Sequence, residues 1–156
     1  MVEHRDIRAA LVTTLQGVPG IGVVGTHQPY ARDAGRFRAL YLDDAGRLNG
    51  WFVRRVGLTR RQESRGRTAV VTRWRIQGYL ALDDEGASEL ALDDMVDGIV
   101  AAVAADPSLG GAVAATLDPA DGARAGVALD DAGPVTFAGV LAHGARLSLT
   151  TLHHER

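Results

Sequence analysis

The stretch from Trp51 to Leu82 constrains the fold of this chain more than any other. Within Thr68–Leu82, Val70, Thr72, Trp74, Ile76 and Leu80 fall on one side of an extended chain, and Val71, Arg73, Arg75 and Gln77 fall on the other. A period of two is the pattern of a half-buried strand. A second extended segment, Trp51–Leu58, precedes it, and a polar tip, Thr59–Arg67, joins the two. The expected element is a long β-hairpin arm. Between Gly50 and Gln77 stand Arg54, Arg55, Arg60, Arg61, Arg65, Arg67, Arg73 and Arg75 against Glu63 alone. Eight positive charges against one negative leave the arm at +7, on a chain whose formal net charge is −2. The body that carries the arm is therefore acidic.

A length of 156 residues with a hydrophobic share of 46% suits one domain, residues 1–156, with a hydrophobic core of its own. The slight negative charge gives no whole-molecule attraction to nucleic acid or anionic membrane, so any such effect is local to the arm. There is no cysteine, which excludes disulfides, thiol catalysis and cysteine-ligated zinc together. All 17 basic residues are arginine, a side chain suited to planar, multi-donor contacts. The charged start, Met1–Asp6, runs into an amphipathic helix instead of an apolar signal core. No apolar run approaches the ~20 residues that span a bilayer, and the expectation is a soluble protein that contacts no membrane.

Ile7, Leu11 and Leu15 recur at helical spacing and predict a helix over Arg5–Gln16, ended by Gly17 and the Val18-Pro19-Gly20 turn. Ile21–Thr26 reads as a strand, 27–35 as a loop, and Phe37–Leu42 as a further strand closed by the turn Asp43–Gly46. After the arm, Leu92, Met95, Val96, Ile99 and Val103 form the apolar stripe of a helix over Ser88–Ala105. Leu109–Leu117 is extended or loop, and Asp118–Gly122 is turn-like. Ala125–Leu129 is a strand, and Asp130–Gly133 reads as a turn into Val135–Leu141, continuing as Ala145–Leu152. In that reading Val135, Phe137, Leu141, Leu147 and Leu149 share a face, and the tail Thr151–Arg156 is frayed. The sum is an α+β fold: an antiparallel sheet with a long β-hairpin arm and two helices packed on one face.

The usual chemical constellations are missing. His143, His153 and His154 lie near the carboxyl end, but adjacent histidines on a strand point to opposite faces, and no HExxH spacing occurs. They read as exposed tail histidines, not metal ligands. The four serines, Ser64, Ser88, Ser108 and Ser148, lack a nucleophile-elbow motif and suit turns, caps and strand edges. The acid pairs Asp43-Asp44, Asp83-Asp84 and Asp130-Asp131 sit in expected turns, where solvation explains them. Gly20, Gly22 and Gly25 match a dinucleotide-loop spacing, but they follow a helix and enter a strand, the reverse of the order such a site needs. The residues point to no catalytic centre, cofactor or metal.

Three readings of the arm stand. It is an ordinary solvated hairpin whose arginines blunt an edge, or a nucleic-acid-binding module using residues 51–77, or a docking device for another protein. From Asp83 to Asp106 there are eight acids and no base, and Glu89, Asp93 and Asp97 line one edge of the helical stripe. A positive arm and a negative helix on one chain suit a heterologous contact between copies, which closes into a ring when the rotation permits.

The order of segments resembles the tail terminator (tail completion) proteins of long-tailed bacteriophages and gene-transfer particles. The resemblance is carried by the opening helix His4–Val18 with the strand through Gly20-Ile21-Gly22-Val23-Val24, and by Asn49-Gly50-Trp51-Phe52-Val53-Arg54-Arg55. It continues through Thr72-Arg73-Trp74-Arg75-Ile76-Gln77-Gly78-Tyr79, the helix Ser88–Ala105, and Phe137-Ala138-Gly139-Val140-Leu141-Ala142-His143. Only Asp106–Asp121 contributes little. The resemblance implies a non-enzymatic structural protein of the virion tail, assembled in the cytoplasm of a bacterial host. It implies a ring of copies, hexameric in that family, that caps the tail tube and ends its polymerisation. Its partners would be itself, the major tail tube protein and the head-tail connector, with passing DNA contact in the channel. The family supplies no catalytic residue to carry over.

Overall fold

The computed structural model describes residues 2–28, 33–120 and 126–156. The loop expected at 29–32, the turn residues 121–122 and the beginning of the strand expected from 125 lie outside the described residues. In chain order the elements are α1 (His4–Gln16), β1 (Val23–Gly25), α2 (Ala34–Ala39), β2 (Asn49–Ser64), β3 (Arg67–Ala81), α3 (Ser88–Ala105), β4 (Ala115–Leu117), β5 (Ala128–Phe137) and β6 (Val140–Glu155). The strands form one sheet ordered β1-β2-β3-β6-β4, with β5 also paired to β6. β1 runs parallel to β2 and the other pairings are antiparallel. The fold is α+β, as the patterning predicts.

The hairpin β2–β3 is longer and its turn tighter than expected. Pairing runs from Asn49 opposite Leu80 to Ser64 opposite Arg67, so the tip shrinks to Arg65-Gly66. Gly66 has a φ of 80°, a conformation glycine adopts without steric penalty. The register slips between Arg55 and Gly57, a bulge that puts Val56 out of line. β6 pairs with the other edge of β3, from Ala142 opposite Ala81 to Glu155 opposite Thr68. The arm is thus backed by a third strand nearly to its tip, which matters because an isolated two-stranded hairpin is marginal in water.

That third strand corrects several expectations at once. Thr151–Glu155 is part of β6 instead of a frayed tail, and Thr151 and His153 are buried. His143 is buried as well, so only His154 of the three carboxyl-terminal histidines keeps partial exposure. Asp130–Gly133 lies inside β5, where the free edge of β6 offers ladder partners and a bulge between Leu129 and Asp131 absorbs the irregular sequence. The actual turn is Ala138-Gly139, both with positive φ. Because the chain reverses there, Val135 and Phe137 end up on the opposite sheet face from Leu147 and Leu149. Leu141 is solvent-exposed.

The segment expected as the strand Phe37–Leu42 is helical over Ala34–Ala39 instead. Asp33 caps this helix by accepting the Arg36 backbone N–H at 2.8 Å, a local bond that outcompetes weak strand propensity. Phe37 and Tyr41, four residues apart, then reach one aromatic cluster.

α1 and α3 pack side by side on one face. Ile7, Leu11 and Leu15 of α1 and Leu92, Met95, Val96 and Ile99 of α3 meet Trp51, Val53, Trp74, Ile76, Leu147 and Leu149 of the sheet. Each such fully buried side chain contributes about 1.5–3 kcal/mol relative to exposure. α2 covers part of the opposite face through a smaller cluster of Tyr41, Leu48, Phe52, Phe137 and Ala142. There Tyr79 stacks on Phe137 with ring centroids 4.2 Å apart. The rest of that second face, along the outer half of the arm, is uncovered among the described residues.

Candidate assembly surface

Strand alternation decides where each arm arginine goes. On the helix-side face β3 presents Val70, Thr72, Trp74 and Ile76, and cross-strand register places Arg55 and Arg60 of β2 on that face, opposite Trp74 and Val70. The other face receives Arg54 opposite Arg75, Arg73 opposite Gly57, and Arg61 opposite Ala69. The arginines therefore do not act as one patch.

Of the two helix-side arginines, Arg60 has a partner within the chain, and Arg55 forms no ion pair among the described residues. Arg60 forms an ion pair with Glu155 at the end of β6. That hydrogen bond holds the Glu155 carboxyl below the usual range, helped by the charge of Arg60 and by His153, against a smaller opposing effect of burial. Arg55 faces Arg8 of α1. The Arg8 guanidinium lies 5.5 Å over the Trp74 ring and donates to the Thr26 carbonyl at 2.7 Å. Burial, and then the nearby charge of Arg55, lowers the Arg8 pKa. On the other face, at the tip, Arg67 pairs with Glu63 at 3.3 Å, and His154 approaches the same carboxylate at 3.3 Å. Arg65, in the tip turn, is exposed.

Trp74 itself is fully buried, with its indole N–H donating to the Thr151 hydroxyl at 2.8 Å. It offers no free ring for a nucleic-acid base.

The other second-face arginines are different. Among the described residues Arg54, Arg61, Arg73 and Arg75 form no ion pair. Arg54 and Arg75 sit directly opposite each other, an arrangement that destabilises a sheet because like charges meet at close range. Arg73 lies across Gly57, where any Cβ would collide with its guanidinium. Arg75 is half-buried, with its Nε withdrawn from solvent and unpartnered. Arg146 of β6 continues the row opposite Gln77, with Asp131 of β5 across from it. Sequence reasoning missed Arg146, which lies outside the arm in sequence and joins it only through β6 pairing.

Glu89, Asp93 and Asp97 are exposed on α3, as is Asp94 beside them. The α3 stripe is buried against the first face, so Asp93 and Asp97 turn away from the sheet, while Glu89 borders the stripe and Asp94 lines the cleft beside Asn49 and Asp83. The structure brings no predicted acid together with a predicted arginine within the chain. The two sets lie on opposite sides of the molecule.

One pairing was not foreseen among the serines. The buried Ser88 hydroxyl lies 2.8 Å from His143 Nε2 and accepts the Asp83 backbone N–H at 2.8 Å. Ser88 lines a cleft of about 820 Å³ with Asn49, Leu80, Asp83 and Met95. Among the described residues no carboxylate hydrogen-bonds to His143 to orient it as a base, the third part such a nucleophile needs. The pair instead ties the Asp83–Gly86 turn to β6 and sets the start of α3, where Ala87 takes a φ of 50°. A signal existed in the sequence only as two distant residues of compatible chemistry.

Among the described residues no group of three or more His, Cys, Asp or Glu is placed to hold a metal ion, and no helix is long and apolar enough to cross a membrane. No protein-family profile and no curated protein matches the chain.

Proposed function

We propose that this chain is a structural, non-enzymatic ring protein of the tail terminator kind, which caps a phage-type tail tube, stops its growth and presents the surface to which the head connector attaches. The observation that carries the reading is the long three-stranded arm, on whose second face Arg54, Arg61, Arg73 and Arg75 form no ion pair among the described residues. A surface of that kind is built for an external contact, and the acids of α3 on another copy supply one. The segment resemblance supports the same reading, since its pieces make up β1, the arm, α3 and the β5–β6 turn. On this reading the partners are further copies of the chain, the tube protein and the connector, in a virion tail assembled in bacterial cytoplasm.

Nucleic-acid binding by residues 51–77 is the competing reading, favoured by the basic charge alone; the burial of Trp74 counts against base stacking. The test is to add the purified chain to tail tube protein during polymerisation and to image the products. Short tubes closed at one end by annular particles are the expected result. Unchanged tube length, with no end-bound density at saturating concentration, would sink the proposal.

A further inference from the structure

Three surfaces compete for a further role: the cleft beside Ser88, the pocket under α1 near buried His153, and the bare second face of the arm. The first lacks an oriented base, and in the second the charged lining is already paired, Arg60 with Glu155. The third carries an inference, which rests on the ring reading above. We infer that the copies associate head to tail, with the α3 acid face of one copy lying on the Arg54/Arg61/Arg73/Arg75 sheet face of the next.

Direction decides which surfaces can meet. Arg54, Arg61, Arg73 and Arg75 emerge on the sheet face turned away from α1 and α3. Asp93 and Asp97 emerge on the side of α3 turned away from its buried stripe, with Glu89 and Asp94 flanking them. One copy thus has a positive side and a negative side that point in opposite directions and cannot meet within one chain. A two-fold contact centred on either side would set like charge on like charge. Only a heterologous contact pairs the two, and it closes into a ring where the rotation between copies permits and otherwise runs on as an open filament.

The local spacings agree. Arg73 and Arg75 are two residues apart on one strand face, about 6.8 Å, and Asp93 and Asp97 are one helical step of four residues apart, about 6 Å. Between Arg61 and Arg73 the row is interrupted by the half-buried pair Val71–Leu152. On α3 the acids surround Leu90, which is 64% exposed. An apolar side chain ringed by acids meets an apolar patch flanked by arginines. The like-charge pair Arg54–Arg75 becomes favourable once a neighbour's carboxylates arrive. Arg60 and Arg67 are excluded from this interface because their partners are already inside the chain.

The experiment uses two full-length variants, Arg73→Glu/Arg75→Glu and Asp93→Arg/Asp97→Arg, studied by light scattering and electron microscopy alone and mixed. Arg73, Asp93 and Asp97 are exposed and Arg75 is half-buried, and circular dichroism and thermal melting check that each variant folds. Each alone should need at least about tenfold more protein than wild type to assemble, since opposed like charges disfavour a contact strongly. An equimolar mixture should reassemble, because every junction then pairs an acidic surface with a basic one. Wild-type assembly should weaken between 0.1 M and 1 M salt as screening shortens. Variants that assemble normally on their own would overturn the inference and leave the ring reading standing. A mixture that fails to reassemble, from variants that fold, would also overturn it. A wild-type chain that stays monomeric at high concentration, and in the presence of tail tubes, would remove the ring reading as well. Duplex DNA binding abolished by Arg73→Glu/Arg75→Glu, with assembly intact, would assign the face to a phosphate backbone instead.

Discussion

Replacing Thr151 with valine tests what holds the arm to the body. Thr151 and Trp74 are both fully buried, and the indole N–H donates to the Thr151 hydroxyl at 2.8 Å. Valine has nearly the same shape, so the change leaves no cavity. What it leaves is a buried indole N–H without an acceptor, on the strand pair that joins β3 to β6. An unsatisfied buried donor costs about 1–3 kcal/mol. For a chain of this size each kcal/mol moves the melting temperature by roughly 2–4 °C, so the expected drop is about 2–12 °C. Urea unfolding followed by the emission of Trp51 and Trp74 gives the free energy directly, with an unchanged slope showing that the unfolded state is not altered. The control is Trp74→Phe/Thr151→Val compared with Trp74→Phe alone. With the donor gone, the Thr151 change should lose most of its effect, leaving a coupling energy of about 1 kcal/mol or more between the two sites. If Thr151→Val matches wild type in both stability and slope, the bond does not anchor the arm and the account of the three-stranded arm is wrong.

The Arg60–Glu155 pair should show itself in pH dependence. The folded-state carboxyl pKa is depressed, so the stabilisation is present above the ordinary carboxylate range and is lost as pH falls through the folded value. The melting-temperature gap between wild type and Glu155→Gln should therefore be open at pH 7 and shrink below about pH 4; a gap that widens in acid contradicts the assignment. Gly78→Val drives a side chain into the ring of Trp51, which lies against the Gly78 backbone. Overpacking of that kind costs typically 1–3 kcal/mol or more, read as a lower urea midpoint. Ser88→Ala leaves the Asp83 N–H and buried His143 short of a partner and should lower stability by about 1–3 kcal/mol, with hydrogen exchange quickening first in the turn before α3.

The α+β class, the arm and the stripes of both long helices were legible because each depends on local periodicity. Leu92, Met95, Val96, Ile99 and Val103 repeat at helical spacing and are all buried. Val70, Thr72, Trp74 and Ile76 alternate and are buried on one face. Two of the errors fall where a distant strand edge overrode local preference. Asp130–Gly133 carries the chemistry of a turn, yet β6 recruits it into a ladder. Thr151–Glu155 looks like a loose end, yet β3 needs it as a partner. Phe37–Leu42 is rich enough in apolar residues to read as a strand, and one cap hydrogen bond makes it helical.

The charge of the arm belongs to the sequence alone, since eight arginines against one acid between Gly50 and Gln77 need no structure to be counted. Their roles belong to the tertiary structure. A strand's period of two sorts side chains into two sets, but which set meets a helix layer and which stays bare depends on packing from α1, α3 and β6. That packing occupies Arg60 internally, turns Arg54, Arg61, Arg73 and Arg75 to the uncovered side, and brings in Arg146 from the far end of the chain. Charge is a property of composition, and its direction is a property of the fold.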